Sequence, residues 1–358
     1  MLNKEFLSHA NVFQEVLHFF SKSHALLLIA PPGHGAERFA RSLAKAKLCE
    51  AGQDQRLIGA CGVCQSCHWF ELGHHPDFRL LGLDIPAQDE QAAEDATAKA
   101  EPASKKKRKS TQITVETVKS IDNFTSVSGH RGGMRVVVIY PAEALNAIAA
   151  NRLLKTLEEP TAGLLFILVA ESVQRLLPTI RSRCQLIKLP PVEPNDALAW
   201  LTQQLGDLAP PVPGNRAKEL LSLAGGAPET ALLQADPELS TIHQLLVDAI
   251  ARLPDTGVVD SAGSILGAEP LSFISTLQRW IEDLCRVAAG AQPRYFMDRT
   301  ERLRKLAGRS DLGRLTQANQ AAIRQRSLAN HPLNPRLYCE LALTEYCAAF
   351  LAPQPNKQ

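Results

Sequence analysis

The stretch Ala25, Leu26, Leu27, Leu28, Ile29, Ala30, Pro31, Pro32, Gly33, His34, Gly35, Ala36, Glu37 decides the fold. A short apolar run meets a Pro/Gly-rich turn, and a helical pattern follows from Glu37 to Cys49, so it reads as strand, loop and helix. Working outward, Asp77 to Leu83 reads as another strand. Thr114 opens a helix whose apolar positions Val115, Val118 and Ile121 fit its period. Met134 to Tyr140, β-branched from Val136 to Ile139, and Leu164 to Ala170 read as buried parallel strands. Between them a helix is expected from Ala142 to Leu157, ending at Glu158, Glu159 and Pro160, and Gln185 to Leu189 supplies a last strand. Strands alternating with helices predict an α/β domain with a parallel sheet over residues 1–190. After Pro190, Pro191 and Pro194 the pattern turns helical. A small helical domain is expected over 191–235, with a Pro/Gly-rich link from Leu208 to Gly214. An all-helical domain is expected over 236–358, with a break around Leu253 to Gly267.

Composition narrows the function. With 45% hydrophobic and 21% charged residues in 358, the chain has the balance of a folded protein rather than a disordered one. A net charge of +2 argues against a large nucleic-acid footprint and leaves room only for a local or shared contact. No apolar run reaches the length of a membrane span, and Met1 to Ala10 lacks a secretory pattern. A cytoplasmic protein is expected. Its eight cysteines are then read as thiols or metal ligands rather than disulfides. The segment Ile85 to Gln112 begins acidic and ends in Lys105, Lys106, Lys107, Arg108 and Lys109, with few bulky apolar residues. It is read as a disordered insertion, the basic run being a solvated loop, a nuclear-import signal or a phosphate-binding patch.

A working phosphate loop reads G-x-x-x-x-G-K-[ST] after a strand: backbone amides cradle phosphates, the lysine meets the β- and γ-phosphates, and the hydroxyl holds magnesium. Here Gly33 and Gly35 are kept, but Ala36 replaces the lysine and Glu37 replaces the hydroxyl. A carboxylate suits a helix start but repels an anion there. A bland turn would be an equally good reading of this motif alone. The second half of the machinery decides: an acidic pair should end the β-branched strand to hold magnesium, and Tyr140 and Pro141 stand there instead. No cofactor is therefore expected in the degenerate loop Gly33, Gly35, Ala36, Glu37.

Cys49, Cys61, Cys64 and Cys67 form C-x11-C-x2-C-x2-C, and four thiolates complete a tetrahedral zinc shell. Gly62, Gln65 and Ser66 are not core-like spacers, which disfavours simple buried thiols. One structural zinc is expected, forming a knuckle over 49–67. His68, His74 and His75 could substitute as ligands but are read as surface or capping residues, and Cys184, Cys285, Cys339 and Cys347 as small core residues.

With this loop, the cysteine knuckle and the segment Asn151, Arg152, Leu153, Leu154, Lys155, Thr156, Leu157, Glu158, Glu159, Pro160, the chain resembles the bacterial clamp-loader ATPases of the AAA+ superfamily. The resemblance continues through Leu176, Leu177, Pro178, Thr179, Ile180, Arg181, Ser182, Arg183, Cys184, which is similar to the family's Ser-Arg-Cys motif. It is clear from Ser23 to Pro191, with a weaker echo at Leu333, Asn334, Pro335, Arg336, Leu337. It implies an AAA+ fold with a helical lid and an oligomerising collar, and membership of a five-subunit arc that opens a sliding clamp and places it on primed DNA. Ala36, Glu37, Tyr140 and Pro141 depart from the motor subunits, as does Glu229 where a second sensor arginine is expected. The resemblance thus points to the noncatalytic branch, with no bound ATP, and gives as partners the motor (gamma/tau) and delta subunits. The sliding clamp and primer-template DNA are indirect partners. It places Arg183 as an arginine finger acting in trans, with Ser182 and Cys184 shaping its turn; an intrachain ion pair by Arg183, Arg181 or Arg175 is the competing reading. Two other functions stay open, an ATPase with divergent phosphate ligands and a zinc-containing DNA-binding adaptor.

Overall fold

The computed structural model describes residues 9–19, 23–52, 59–83, 112–126, 133–208, 212–265, 268–329 and 334–351. The basic insertion and Leu333 lie outside these residues, apart from Gln112 at the insertion's end. The chain divides into two compact units, Met1–Trp200 and Leu201–Gln358.

In the first unit, helix α1 (Ala10–Phe19) precedes strand β1 (Ala25–Ile29) and helix α2 (Ala36–Leu48). Then come α3 (Gln65–Glu71), β2 (Phe78–Gly82), α4 (Val115–Lys119), α5 (Asp122–Ser126) and β3 (Arg135–Tyr140). After these follow α6 (Ala147–Glu158), β4 (Leu164–Ala170), α7 (Pro178–Arg181) and β5 (Gln185–Lys188), while α8 (Pro194–Gly206) begins in this unit and ends in the next. The five strands pair in the order β2-β3-β4-β1-β5, all parallel, with Leu27 opposite Leu168 and Val138 opposite Ile167. Every residue of β4 is buried because helices cover both faces. Leu26, Leu28, Val136, Val138, Ile167 and Val169 face one layer with Phe39 and Leu43 of α2. The alternate residues Leu27, Val137, Ile139, Phe166 and Leu168 face the other, with Leu153 and Leu157 of α6. Since all strands run the same way, their carboxyl ends share one edge, where open α/β sheets bind ligands.

Two expected helices differ in detail. The one predicted from Thr114 divides into α4 and α5, where the Ser120 hydroxyl donates to the Thr117 carbonyl at 2.8 Å and competes with the helical ladder. The one predicted from Ala142 begins as a 3-10 turn, Ala142–Ala144, and restarts at Ala147 because the Asn146 side chain caps it, accepting the Ala149 N–H at 2.8 Å.

The second unit is helical among its described residues: α9 (Ala217–Leu223), α10 (Pro228–Leu233), α11 (Pro237–Arg252), α12 (Val258–Ile265), α13 (Pro270–Ala288), α14 (Thr300–Ala307), α15 (Leu312–Leu328) and α16 (Pro335–Ala348). Helix α12 falls inside the predicted break. Starts follow local chemistry: Asp236 accepts the Glu238 and Leu239 amides at 3.0 Å each, with Pro237 in the first turn. The core centres on fully buried Trp280, which packs edge-on against Phe296 at 5.3 Å and donates its indole N–H to the Tyr346 hydroxyl at 3.0 Å. Buried Asp283 accepts the amides of Arg294, Tyr295 and Phe296 at 2.6, 3.0 and 2.8 Å, fixing the loop before α14.

Candidate functional site

The turn between β1 and α2 keeps the backbone of a phosphate loop. Its strand edge is fixed on both sides, the Ala30 N–H donating to the Ala170 carbonyl at 3.1 Å and the Leu189 N–H to the Ile29 carbonyl at 2.8 Å. Gly33 and Gly35 take φ of 72° and 81°, left-handed conformations that a side chain disfavours, and the Gly35 carbonyl accepts the Phe39 N–H at 2.8 Å to start α2. Ala36 packs against the sheet layer, and the Glu37 carboxylate lies 3.5 Å from Arg41 one turn along the helix. His34 Nδ1 accepts the Val192 N–H at 3.1 Å, and the buried His9 Nε2 lies 2.9 Å from the Pro190 carbonyl. Burial lowers the pKa of both imidazoles, which therefore sit neutral over the linker that follows β5. The guanidinium of Arg38 stacks 5.4 Å from the Trp200 ring.

At the end of β3, Tyr140 and Pro141 occupy the positions where magnesium-binding carboxylates were sought. The nearest acid along the chain, Glu143, uses Oε1 to accept the Glu171 N–H at 2.9 Å, which ties the end of β3 to that of β4. In the second unit Glu229 lies in the first turn of α10, behind Gly225 and Gly226 with φ of 71° and 91°. The negative charge suits that helix end.

The four cysteines come together. Cys49 caps the carboxyl end of α2, Cys64 caps α3, Cys67 lies within α3, and their ligand atoms with that of Cys61 are all within 4.8 Å of one another. Sγ of Cys49 is 3.9 Å from that of Cys64, and Sγ of Cys61 is 4.0 Å from that of Cys67. A zinc–sulfur bond of ~2.3 Å gives a tetrahedron with edges of about 3.8 Å, so the spacing fits. Backbone amides aim at the sulfurs: the N–H groups of Cys61, Cys64 and Cys67 donate to Cys49, Cys61 and Cys64 at 3.3, 3.4 and 3.4 Å. The Cys61 thiol is pulled down to about 6, first by the Val63 amide, whereas burial pushes the Cys49 and Cys67 thiols up. A bound cation offsets that burial by holding the thiolate form.

Of the neighbouring histidines, His68 and His74 are exposed, as expected, but His75 is buried. This corrects its reading as a surface or capping residue. Its Nδ1 accepts the Asp77 N–H at 3.1 Å, which leaves Nε2 to donate to Ser66 Oγ at 2.8 Å, while Ser66 donates to the Leu48 carbonyl at 2.5 Å. Both ring nitrogens are used in anchoring the knuckle between α2 and β2, with a second tie from Lys45 to Glu71.

Arg183 lies just past α7, at the surface. Its turn is closed by Ser182 Oγ, which donates to the Thr179 carbonyl at 3.0 Å, and by the Arg183 N–H to the Ile180 carbonyl at 3.1 Å. Cys184, the next residue, packs partly buried against the sheet core, and burial pushes its thiol up to about 12. The guanidinium forms an ion pair with Glu158. The intrachain pair was the competing reading of the sequence, which named no partner for it. A signal was there: Glu158 ends α6, where the helix dipole disfavours a carboxylate without a cation beside it. Arg175 lies 4.0 Å from Glu171. The contacts of His9 and His34 with the linker were also missed, and no local pattern announces them.

The family model described as "DNA polymerase III, delta subunit" matches residues 8–193. The chain is 36% identical to the DNA polymerase III subunit delta' of Pseudomonas aeruginosa over 209 residues, 58% of this chain and 55% of that one. It is 30% identical to the subunit delta' of Escherichia coli over 65% of this chain and 61% of that one. To the subunit delta' of Yersinia pestis it is 31% identical, over 71% of this chain and 68% of that one. The chain thus spans little more than half the length of the first of these relatives. No described helix is long and apolar enough to cross a membrane. With the matched region containing the phosphate loop, the thiol cluster and the Arg183 turn, the chain belongs to the family of DNA polymerase III delta-prime subunits.

Proposed function

We propose that the chain is a noncatalytic subunit of the DNA polymerase III clamp loader, binding no ATP itself and lending Arg183 in trans to ATP on a neighbouring gamma/tau motor subunit. The observation that carries this reading is one domain combining Ala36 and Glu37 at the phosphate-binding positions with an arginine at the surface. A guanidinium reaching a γ-phosphate stabilises the charge that develops there, a contribution of roughly 10³–10⁵ in rate for arginine fingers. Ser182 and Cys184 shape the turn that carries it. The motor and delta subunits are the direct partners in an ATP-driven pentamer, the sliding clamp and primer-template DNA the indirect ones. Its place is the cytoplasmic, nucleoid-associated replisome.

Cys49, Cys61, Cys64 and Cys67 would hold one zinc ion. Such a closed four-thiolate shell is structural, cross-linking α2 to α3, and supplies no chemistry to a reaction. Residues 1–190 are the AAA+ domain, 191–235 the lid and 236–358 the collar through which the subunit assembles.

The test is reconstitution with motor and delta subunits. The expected result is a complex whose DNA- and clamp-stimulated ATPase requires this chain, together with a chain that alone shows no saturable ATP binding by calorimetry. Micromolar ATP affinity of the isolated chain that survives Glu37→Ala would favour a divergent ATPase. DNA binding by the isolated chain that is lost on deleting 85–112 would favour the adaptor.

A further inference from the structure

The guanidinium of Arg183 is already engaged inside its own chain. One terminal nitrogen faces the Glu158 carboxylate, and the other donates to the Thr179 carbonyl at 2.8 Å and lies 3.4 Å from Ser182 Oγ. Each acceptor has a reason to hold a cation. Glu158 is the last residue of α6, on the negative end of the helix dipole, and the Thr179 carbonyl, which already accepts from Ser182 Oγ at 3.0 Å, offers a second lone pair. Together they fold the arginine back over its own turn. Reaching a phosphate on another subunit demands the opposite, an arm extended away from α7. A carboxylate and a triphosphate compete for the same planar fork of donors.

We infer that Glu158 is a positioning residue that parks Arg183 in the free chain and yields it to a neighbour's nucleotide on assembly. This rests on the reading of Arg183 as a trans-acting residue. Glu158 touches no nucleotide and acts only through the arginine. The pair is open enough to be exchanged, with the two side chains 31% and 49% exposed. An ion pair so placed is weak and is given up readily to a more highly charged anion. While it holds, it withdraws a fraction of the arginine from use, and apparent affinity at the shared site falls by that fraction. A chain outside the complex thereby keeps its arginine paired, and only a correctly docked, ATP-loaded neighbour extracts it.

The experiment rebuilds the complex with wild-type chain, Glu158→Gln, Glu158→Asp, Arg183→Ala and the Glu158→Gln/Arg183→Ala double variant, and separates half-saturating ATP from the maximal rate. Glutamine keeps the side-chain length and removes the charge. Half-saturation is expected to fall two- to five-fold with Glu158→Gln while the maximal rate does not drop; five-fold corresponds to about 1 kcal/mol at 1.4 kcal/mol per tenfold. Glu158→Asp keeps the charge and is expected to shift half-saturation by less than Glu158→Gln. In the Arg183→Ala background the glutamine change should do nothing, because the coupling needs both partners. Unchanged or higher half-saturation with Glu158→Gln, a lower maximal rate, or the same shift without Arg183 would overturn the parking role and leave the trans role standing. Wild-type turnover in the Arg183→Ala complex would overturn both.

Discussion

The phosphate loop after β1 and the arginine turn after α7 have diverged in opposite ways. The loop has kept its backbone, with Gly33 and Gly35 still left-handed and α2 still starting at Ala36, but the side chains that would hold phosphate are replaced. The arginine turn has kept its side chain and holds it on the surface, against Glu158. The loop's backbone serves the fold independently of any phosphate chemistry. Gly35 must hold a left-handed backbone for the strand-to-helix turn whatever is bound, whereas a lysine at position 36 matters only if a triphosphate arrives. The contacts Arg183 makes within the chain are surface ones of little worth to stability, which is why its role is proposed rather than read from them.

The largest expected effect lies in the knuckle that hangs from the loop's helix. Changing both Cys64 and Cys67 to Ser should take metal content from about one zinc per chain to none and unfold the segment around Cys49–Cys67. Structural zinc sites contribute on the order of 10 kcal/mol of apparent binding energy. Metal analysis with circular dichroism checks it, and a metal-free, fully folded wild-type protein would remove zinc from the account. Next, Gly35→Ala should destabilise the protein by about 1–2 kcal/mol through its left-handed backbone, while chain-dependent ATPase in the assembled complex is retained. If stability is unchanged, the loop backbone is not kept for folding and the comparison breaks. The smallest effect concerns His34. Its folded pKa lies below the unfolded value of 6.5, so the stability it contributes is present above 6.5 and is lost as pH falls through 6.5 toward the lower folded pKa. His34→Gln, which can still accept from Val192, should flatten the fall in melting temperature between pH 7 and 5. A slope identical to wild type would show that His34 is not buried neutral against the linker.

Much of the first unit was legible because parallel strands buried on both faces leave apolar runs, as in Val136–Ile139 and Leu164–Ala170. The thiol cluster was legible for a related reason: Cys61, Cys64 and Cys67 follow one another with two residues between each, so local spacing brings them together. Strand order was not, since nothing in β1 records that it lies between β4 and β5. The Glu158–Arg183 pair spans 25 residues, and the contacts of His34 and His9 with the linker span 158 and 181. Such contacts depend on where the sheet carries each turn. His75 failed for the opposite reason: its neighbour His74 is exposed, and only the buried hydrogen bonds to Ser66 and Asp77 separate two adjacent imidazoles.

The central claim is that the chain gives up its own ATP and acts on a neighbour's. Single-turnover ATP hydrolysis by the complex rebuilt with Arg183→Ala tests it most directly, with assembly confirmed by co-elution of all subunits. Turnover at the site facing this chain should fall by roughly 10³. A fully assembled complex that hydrolyses ATP at the wild-type rate would contradict the account.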